Sequence, residues 1–173
     1  MKKLLIISIL CITSIASFAQ ISRTFWGVTL GKSNKNQVRT ALVNRGYSVQ
    51  TDDDGSLFVN VNNVKFGGAV WTYVLFSFVN GCLSRVCFQN NELQSPIQVD
   101  DVYIYMKMSL DKKYKRYYFD LPTEEGNSWS NYTDGKTNIL LGLNTYRYTR
   151  YVRLWYEDVA LREMQMQKEN DEL

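Results

Sequence analysis

The chain has 173 residues, with 20 Lys plus Arg against 17 Asp plus Glu, a net charge of +3, and no histidine. Charge so close to balance excludes the strong basic excess of a nucleic-acid binder. The lack of histidine removes the usual triad base, the commonest metal ligand and the ordinary near-neutral proton shuttle.

The chain opens with Lys2 and Lys3, an apolar stretch from Leu4 to Ile15, and the small residues Ser17 and Ala19. This is the pattern of a secretory signal cut after Ala19, leaving Gln20 as the mature N-terminus. Leu10 stands before Cys11 where a lipoprotein signal needs a small residue. The expected mature chain, 20–173, is one α+β domain with eighteen basic and seventeen acidic residues. No transmembrane anchor is expected after cleavage, since the apolar run is short for a span.

Gly27 and Gly31-Lys32-Ser33 come close to a phosphate loop. Only Val28, Thr29 and Leu30 lie between the glycines where four residues are needed, so the backbone amides cannot curl round a phosphate. The alternative is Ser33 as N-cap of a short helix through Val38, Ala41 and Leu42, ended by Gly46. Asp52-Asp53-Asp54-Gly55 is an acidic turn. A calcium loop in that frame would put Gln50 at the first ligand and Val61 at the bidentate one, and both fail.

Leu57 to Asn60 forms a strand, with a turn expected at Asn62-Asn63. Asn80-Gly81 between two apolar runs predicts a two-residue hairpin that pairs Val79 with Cys82 and, further out, Val74 with Cys87. That register holds Cys82 and Cys87 roughly 16 Å apart and on opposite faces, so no disulfide is expected. Val70, Val74, Phe76 and Phe78 alternate with Trp71, Tyr73, Leu75 and Val79, the pattern of a central strand apolar on both faces.

Ser95-Pro96 opens a second helix, with Val99, Val102, Tyr103, Met106, Leu110 and Tyr114 on one face. A loop follows through Pro122 to Ser128. Trp129–Thr133 and Thr137–Leu143 form a hairpin about Asp134-Gly135, and Tyr151–Tyr156 is a further strand with Val152, Leu154 and Tyr156 inward. The charged tail from Asp158 is expected as a frayed helix. The order is helix then antiparallel meander, twice, which predicts two such halves in one compact domain.

The stretch F-W-G-V-T-L-G-K-S-N-K-N-Q-V-R-T-A-L-V-N-R-G-Y, with V-K-F-G-G-A-V-W, M-S-L-D-K-K-Y, T-D-G-K-T-N-I-L-L and Y-V-R-L-W-Y-E-D after it, resembles a family of uncharacterised small exported proteins of Gram-negative gut bacteria. That family looks like the fold of beta-lactamase inhibitor protein (BLIP) and of the BamE (SmpA/OmlA) envelope lipoproteins. The resemblance implies a BLIP/BamE-like fold and a role in binding other proteins, with no catalytic residues to carry over.

Two aromatic-basic stretches are candidate binding elements: Lys112 to Tyr118 and Tyr146 to Arg153. Exposed rings beside Arg and Lys suit a protein interface or a glycan, though a solvated helix end and an ordinary strand explain them too. The carboxylate pairs Asp100-Asp101, Glu124-Glu125 and Glu157-Asp158 are expected as solvated charge. The sequon Asn131-Tyr132-Thr133 and the terminal Asn170-Asp171-Glu172-Leu173 are taken as coincidence.

The expected function is an exported, periplasmic or extracellular, non-catalytic adaptor that binds another envelope protein, without cofactor or metal. The alternative is a glycan- or small-ligand-binding module built on Trp129, Tyr146, Tyr148 and Trp155. An enzyme of unrecognised type is the third reading.

Overall fold

The computed structural model describes residues 20–90, 96–119, 127–146 and 149–171. Residues 1–19, where a signal is expected, and Ser95, Glu124, Glu125, Tyr148, Glu172 and Leu173 lie outside them. Two short strands, β1 (Thr24–Phe25) and β2 (Val28–Thr29), lead into helix α1 (Lys35–Val43). Then come β3 (Gln50–Thr51), β4 (Leu57–Phe66), β5 (Ala69–Val79) and β6 (Cys82–Gln89). The second half repeats the order: α2 (Pro96–Tyr114), a 3-10 turn at Lys115–Tyr117, then β7 (Tyr118–Phe119), β8 (Ser128–Thr133), β9 (Thr137–Tyr146) and β10 (Thr149–Asp158). Helix α3 (Val159–Asp171) follows.

Strands β3 to β10 form an eight-stranded antiparallel sheet in the order β3-β4-β5-β6-β10-β9-β8-β7. Each half supplies a four-strand meander, and the last strand of each, β6 and β10, pair at the middle. The α+β class and the helix-then-meander order thus stand as expected from the sequence. Among the described residues no helix is long and apolar enough to cross a membrane.

One sheet face is the core. Leu57, Val74, Phe76, Phe88, Leu141 and Leu154 pack there with Val38 and Leu42 of α1 and with Val99, Met106, Leu110 and Tyr114 of α2. The apolar face expected for the second helix is the buried one. Phe66 and Phe88 stack with centroids 4.2 Å apart, and Phe25 meets Tyr156 edge-on at 4.8 Å. Tyr132 of β8 is fully buried and donates its hydroxyl hydrogen to Asp111 of α2 at 2.7 Å.

Several local expectations need correction. Asn34, one residue beyond Ser33, caps α1 by a capping box with Gln37, while the Ser33 hydroxyl accepts from the Thr29 amide. The Gly31 amide donates to Leu83, and those of Lys32 and Ser33 donate to Thr29, so the phosphate-loop look-alike has its amides engaged. Asn62-Asn63 is no turn: β4 runs on to Phe66, with irregular pairing between Asn60 and Val64. The chain reverses at Gly67-Gly68, where Phe66 pairs with Ala69.

The Asn80-Gly81 hairpin forms with Val79 opposite Cys82. Both turn residues have positive φ, 49° and 77°, as a two-residue turn of this hand requires. A bulge between Ser77 and Phe78 then shifts the register, so Cys87 faces Leu75, not Val74. Cys82 and Cys87 are both free. Trp71 also departs from strict alternation and joins Val74 and Phe76 in the core, leaving Val70 exposed.

Glu157 and Asp158 are buried, not solvated. Glu157 pairs with Arg85 at 2.6 Å, and Asp158 pairs with Arg23. Arg23 also donates to the carbonyls of Lys136 (2.7 Å) and Leu30 (3.1 Å), clasping the N-terminal segment to the β8–β9 turn. Asp100 pairs with Arg150 at 2.7 Å. Asp158 further accepts from the Leu161 amide, so α3 is a capped helix where a frayed one was expected. Asn131 of the sequon is 1% exposed, out of reach of a modifying enzyme in the folded chain.

Candidate binding face

In β10, Val152, Leu154 and Tyr156 lie in the core. Successive side chains alternate, so Tyr151, Arg153, Trp155 and Glu157 project from the opposite face of the sheet. The register across the sheet shows what they join. One row runs Phe58, Leu75, Cys87, Trp155, Leu140 and Asn131 across β4, β5, β6, β10, β9 and β8. The next runs Tyr73, Gln89, Arg153, Gly142 and Trp129. With strands about 4.8 Å apart, the longer row spans roughly 24 Å.

Within this face Trp129 and Trp155 lie together, ring centroids 5.3 Å apart and planes inclined by 32°. Gly142 makes their arrangement possible. A Cβ there would come within 2.5 Å of the Trp129 ring and 2.8 Å of Asn144 Nδ2, so Trp129 rests on bare backbone. The Trp155 indole N–H donates to the Cys87 sulfur at 2.6 Å, which fixes the ring over β6. Burial pushes the Cys87 thiol up to about 12, so it stays a neutral acceptor.

Arg153 completes the cluster. Its guanidinium carbon is 4.4 Å from the Tyr151 ring centroid and 6.0 Å from that of Trp155, and its Nε donates to Gln89 Oε1 at 2.6 Å. Farther along, Tyr73 packs on Phe58 at 5.9 Å. Its phenol is pushed above the usual value by burial and then by the nearby Asp52 charge. Trp129, Tyr151, Arg153 and Trp155 are all half-buried, leaving ring faces and guanidinium edges accessible. Asn131 Oδ1 and Asn144 Nδ2, both buried, have no hydrogen-bond partner.

Of the four aromatic residues singled out in the sequence, the structure brings Trp129 and Trp155 into contact. Tyr146 ends β9 six residues beyond Leu140, about 20 Å along the strand, and its side chain is outside the described set, as is Tyr148. Tyr151 and Arg153 come from the aromatic-basic stretch Tyr146 to Arg153 that the sequence offered as a binding element, whereas sequence reasoning missed Gln89. The alternation that places Val152, Leu154 and Tyr156 inward already assigns Tyr151 and Arg153 to the outward set. Gly142 carries no comparable sequence signal, because its role depends on standing opposite Trp129.

The face is a broad platform of rings, amides and one guanidinium, suited to contact and hydrogen bonding. Among the described residues no group of three or more Cys, Asp or Glu side chains could hold a metal ion. No family model, curated protein or solved structure matches the chain.

Proposed function

We propose that this is an exported, non-catalytic binding protein of the bacterial cell envelope, and that the face bearing Trp129, Tyr151, Arg153 and Trp155 holds a partner protein. The observation that carries the reading is the Trp129–Trp155–Arg153–Tyr151 cluster, set on rigid strands and half-open to solvent. Trp, Tyr and Arg are the residues that concentrate energy at protein interfaces, most of all near the centre of a patch. A BLIP/BamE-like relationship, whose members act by binding proteins, is part of the same proposal.

The test is capture of envelope proteins by tagged chain from Gln20 onward, comparing wild type with Arg153→Ala and Trp155→Ala. A near-stoichiometric partner lost in both variants, with melting temperatures within a few degrees of wild type, supports the reading. A partner retained by both variants moves the interface elsewhere.

The inclined Trp129–Trp155 pair beside a guanidinium favours a second reading, an acidic glycan whose ring lies on the indoles. Glycan binding lost in Trp129→Ala, with no captured protein, would decide for it.

A further inference from the structure

Helix α2 is apolar on two sides, and the core accounts for one of them. Met106, Leu110 and Tyr114 are 2%, 4% and 2% exposed. On the far side Ile104 and Met108 are 55% and 67% exposed, and Tyr105, 49% exposed, stands on the flank with its phenol end against Gly68 of the β4–β5 turn. Single exposed apolar side chains are ordinary, but three on adjoining turns of one helix make a patch. Ile104, Met108 and Lys112 follow at four-residue steps and Lys115 three later, so the apolar stripe runs directly into cations.

Four of the five residues from Lys112 to Arg116 are basic, in a chain with nearly balanced charge. The nearest acid on the helix, Asp111, is already paired with Lys107 at 2.7 Å and with the Tyr132 hydroxyl. Lys112, Lys113 and Lys115 have no carboxylate partner among the described ion pairs. Asp101, the exposed acid on α2, stands at the other end of the helix, about 16 Å from Lys112.

We infer that this outer side of α2 is a peripheral docking surface for an anionic phospholipid bilayer. Ile104 and Met108 enter the boundary between headgroups and acyl chains. Lys112 and Lys115 meet the phosphates with their stems along the apolar surface, while Lys113 lies on the flank over the Tyr114 ring. The arrangement commits to a bilayer through charge: a cationic cluster continuous with an apolar stripe complements anionic headgroups above hydrocarbon. Because the buried side of α2 packs on the core face of the sheet, a chain docked in this way presents Trp129 and Trp155 away from the lipid. This surface is separate from the binding face and does not depend on that reading.

The experiment is co-sedimentation of the chain from Gln20 onward with vesicles of equal phosphatidylglycerol and phosphatidylethanolamine, against vesicles of phosphatidylcholine. Wild type should sediment with the anionic vesicles and not with the neutral ones, and molar salt should release it. Lys112→Glu with Lys115→Glu should lower partitioning on the order of tenfold or more. Ile104→Gln with Met108→Gln should also lower it, and a Met108→Trp variant should show emission shifted to the blue on vesicles. All these positions are exposed or half-exposed, so unchanged melting curves will show that the variants fold. No sedimentation of wild type with anionic lipid overturns the inference. So does binding that ignores the Ile104/Met108 pair, which would be adsorption by charge alone, or equal binding to phosphatidylcholine.

Discussion

At the residue scale the binding face turns on Gly142. The Trp129 ring occupies the volume that any side chain at 142 would need. Gly142→Val should therefore lift Trp129 from the sheet, red-shift its emission and weaken partner binding, at a stability cost of about 1–3 kcal/mol. Beneath Trp155, Cys87 gives a second test. Its thiol is pushed up to about 12 in the folded chain, whereas the unfolded thiol titrates at about 8.5. Between those values the unfolded state sheds its proton first, so this contribution is fully present below about pH 8.5 and is lost as pH rises. Urea midpoints should fall more from pH 7 to pH 10 for wild type than for Cys87→Ala. A thiol reagent at pH 8 should label the half-exposed Cys82 well before Cys87.

At the element scale, the link between α2 and β8 is polar and partly buried. Burial works against the Asp111 charge, but hydrogen bonds from Lys107 and then Tyr132 win and hold the carboxyl below the usual range. Tyr132 is pushed upward, first by burial and then by its bond to Asp111. Asp111→Ala orphans the buried Tyr132 hydroxyl and should cost about 1–3 kcal/mol at pH 7. Because the Asp111 value is depressed on folding, the stabilisation is full above the unfolded value of about 3.9 and is lost as pH falls through the folded one. Urea titrations of wild type and variant at pH 7 and pH 3 should show the gap narrowing.

What the sequence made legible at this scale was periodicity. The 3.6-residue spacing of Val99 to Tyr114 and the period of two in Val152, Leu154 and Tyr156 each identified an element and its buried side. Bulges were not legible. The extra residue between β5 and β6 that moves Cys87 from Val74 to Leu75, and the irregularity that turns Trp71 inward, depend on pairing between strands and leave no local signal. Nor could local reading see that Glu157 and Asp158 have Arg85 and Arg23 waiting for them, since those arginines come from distant parts of the chain. Half the candidate site was visible for the same reason: Trp129 and Trp155 stood out as residues, while the glycine that seats one and the thiol that anchors the other appear only in register.

At the scale of the whole molecule, the two meanders share one sheet through β6 and β10 and one core beneath it. The Arg23 clasp ties the N-terminal segment to the second half as well. The halves should therefore unfold together. Urea unfolding of the unsubstituted chain, followed by tryptophan emission and by far-ultraviolet circular dichroism, should give transitions with the same midpoint. Separate midpoints would show that the halves are independent units.

The seam between β6 and β10 also dictates an order of events as the chain is made. Gln89 leaves the ribosome about 60 residues ahead of Thr149, an interval of about 3–12 s at ordinary elongation rates. For all that time the β6 edge from Arg85 to Gln89 is bare, since its partner is the last strand to be synthesised, while Cys82 and Leu83 are already bonded to Gly31, Ser33 and Asn34. The first half thus waits for the end of the chain, and a nascent chain stalled before Thr149 carries an adhesive edge into a crowded compartment.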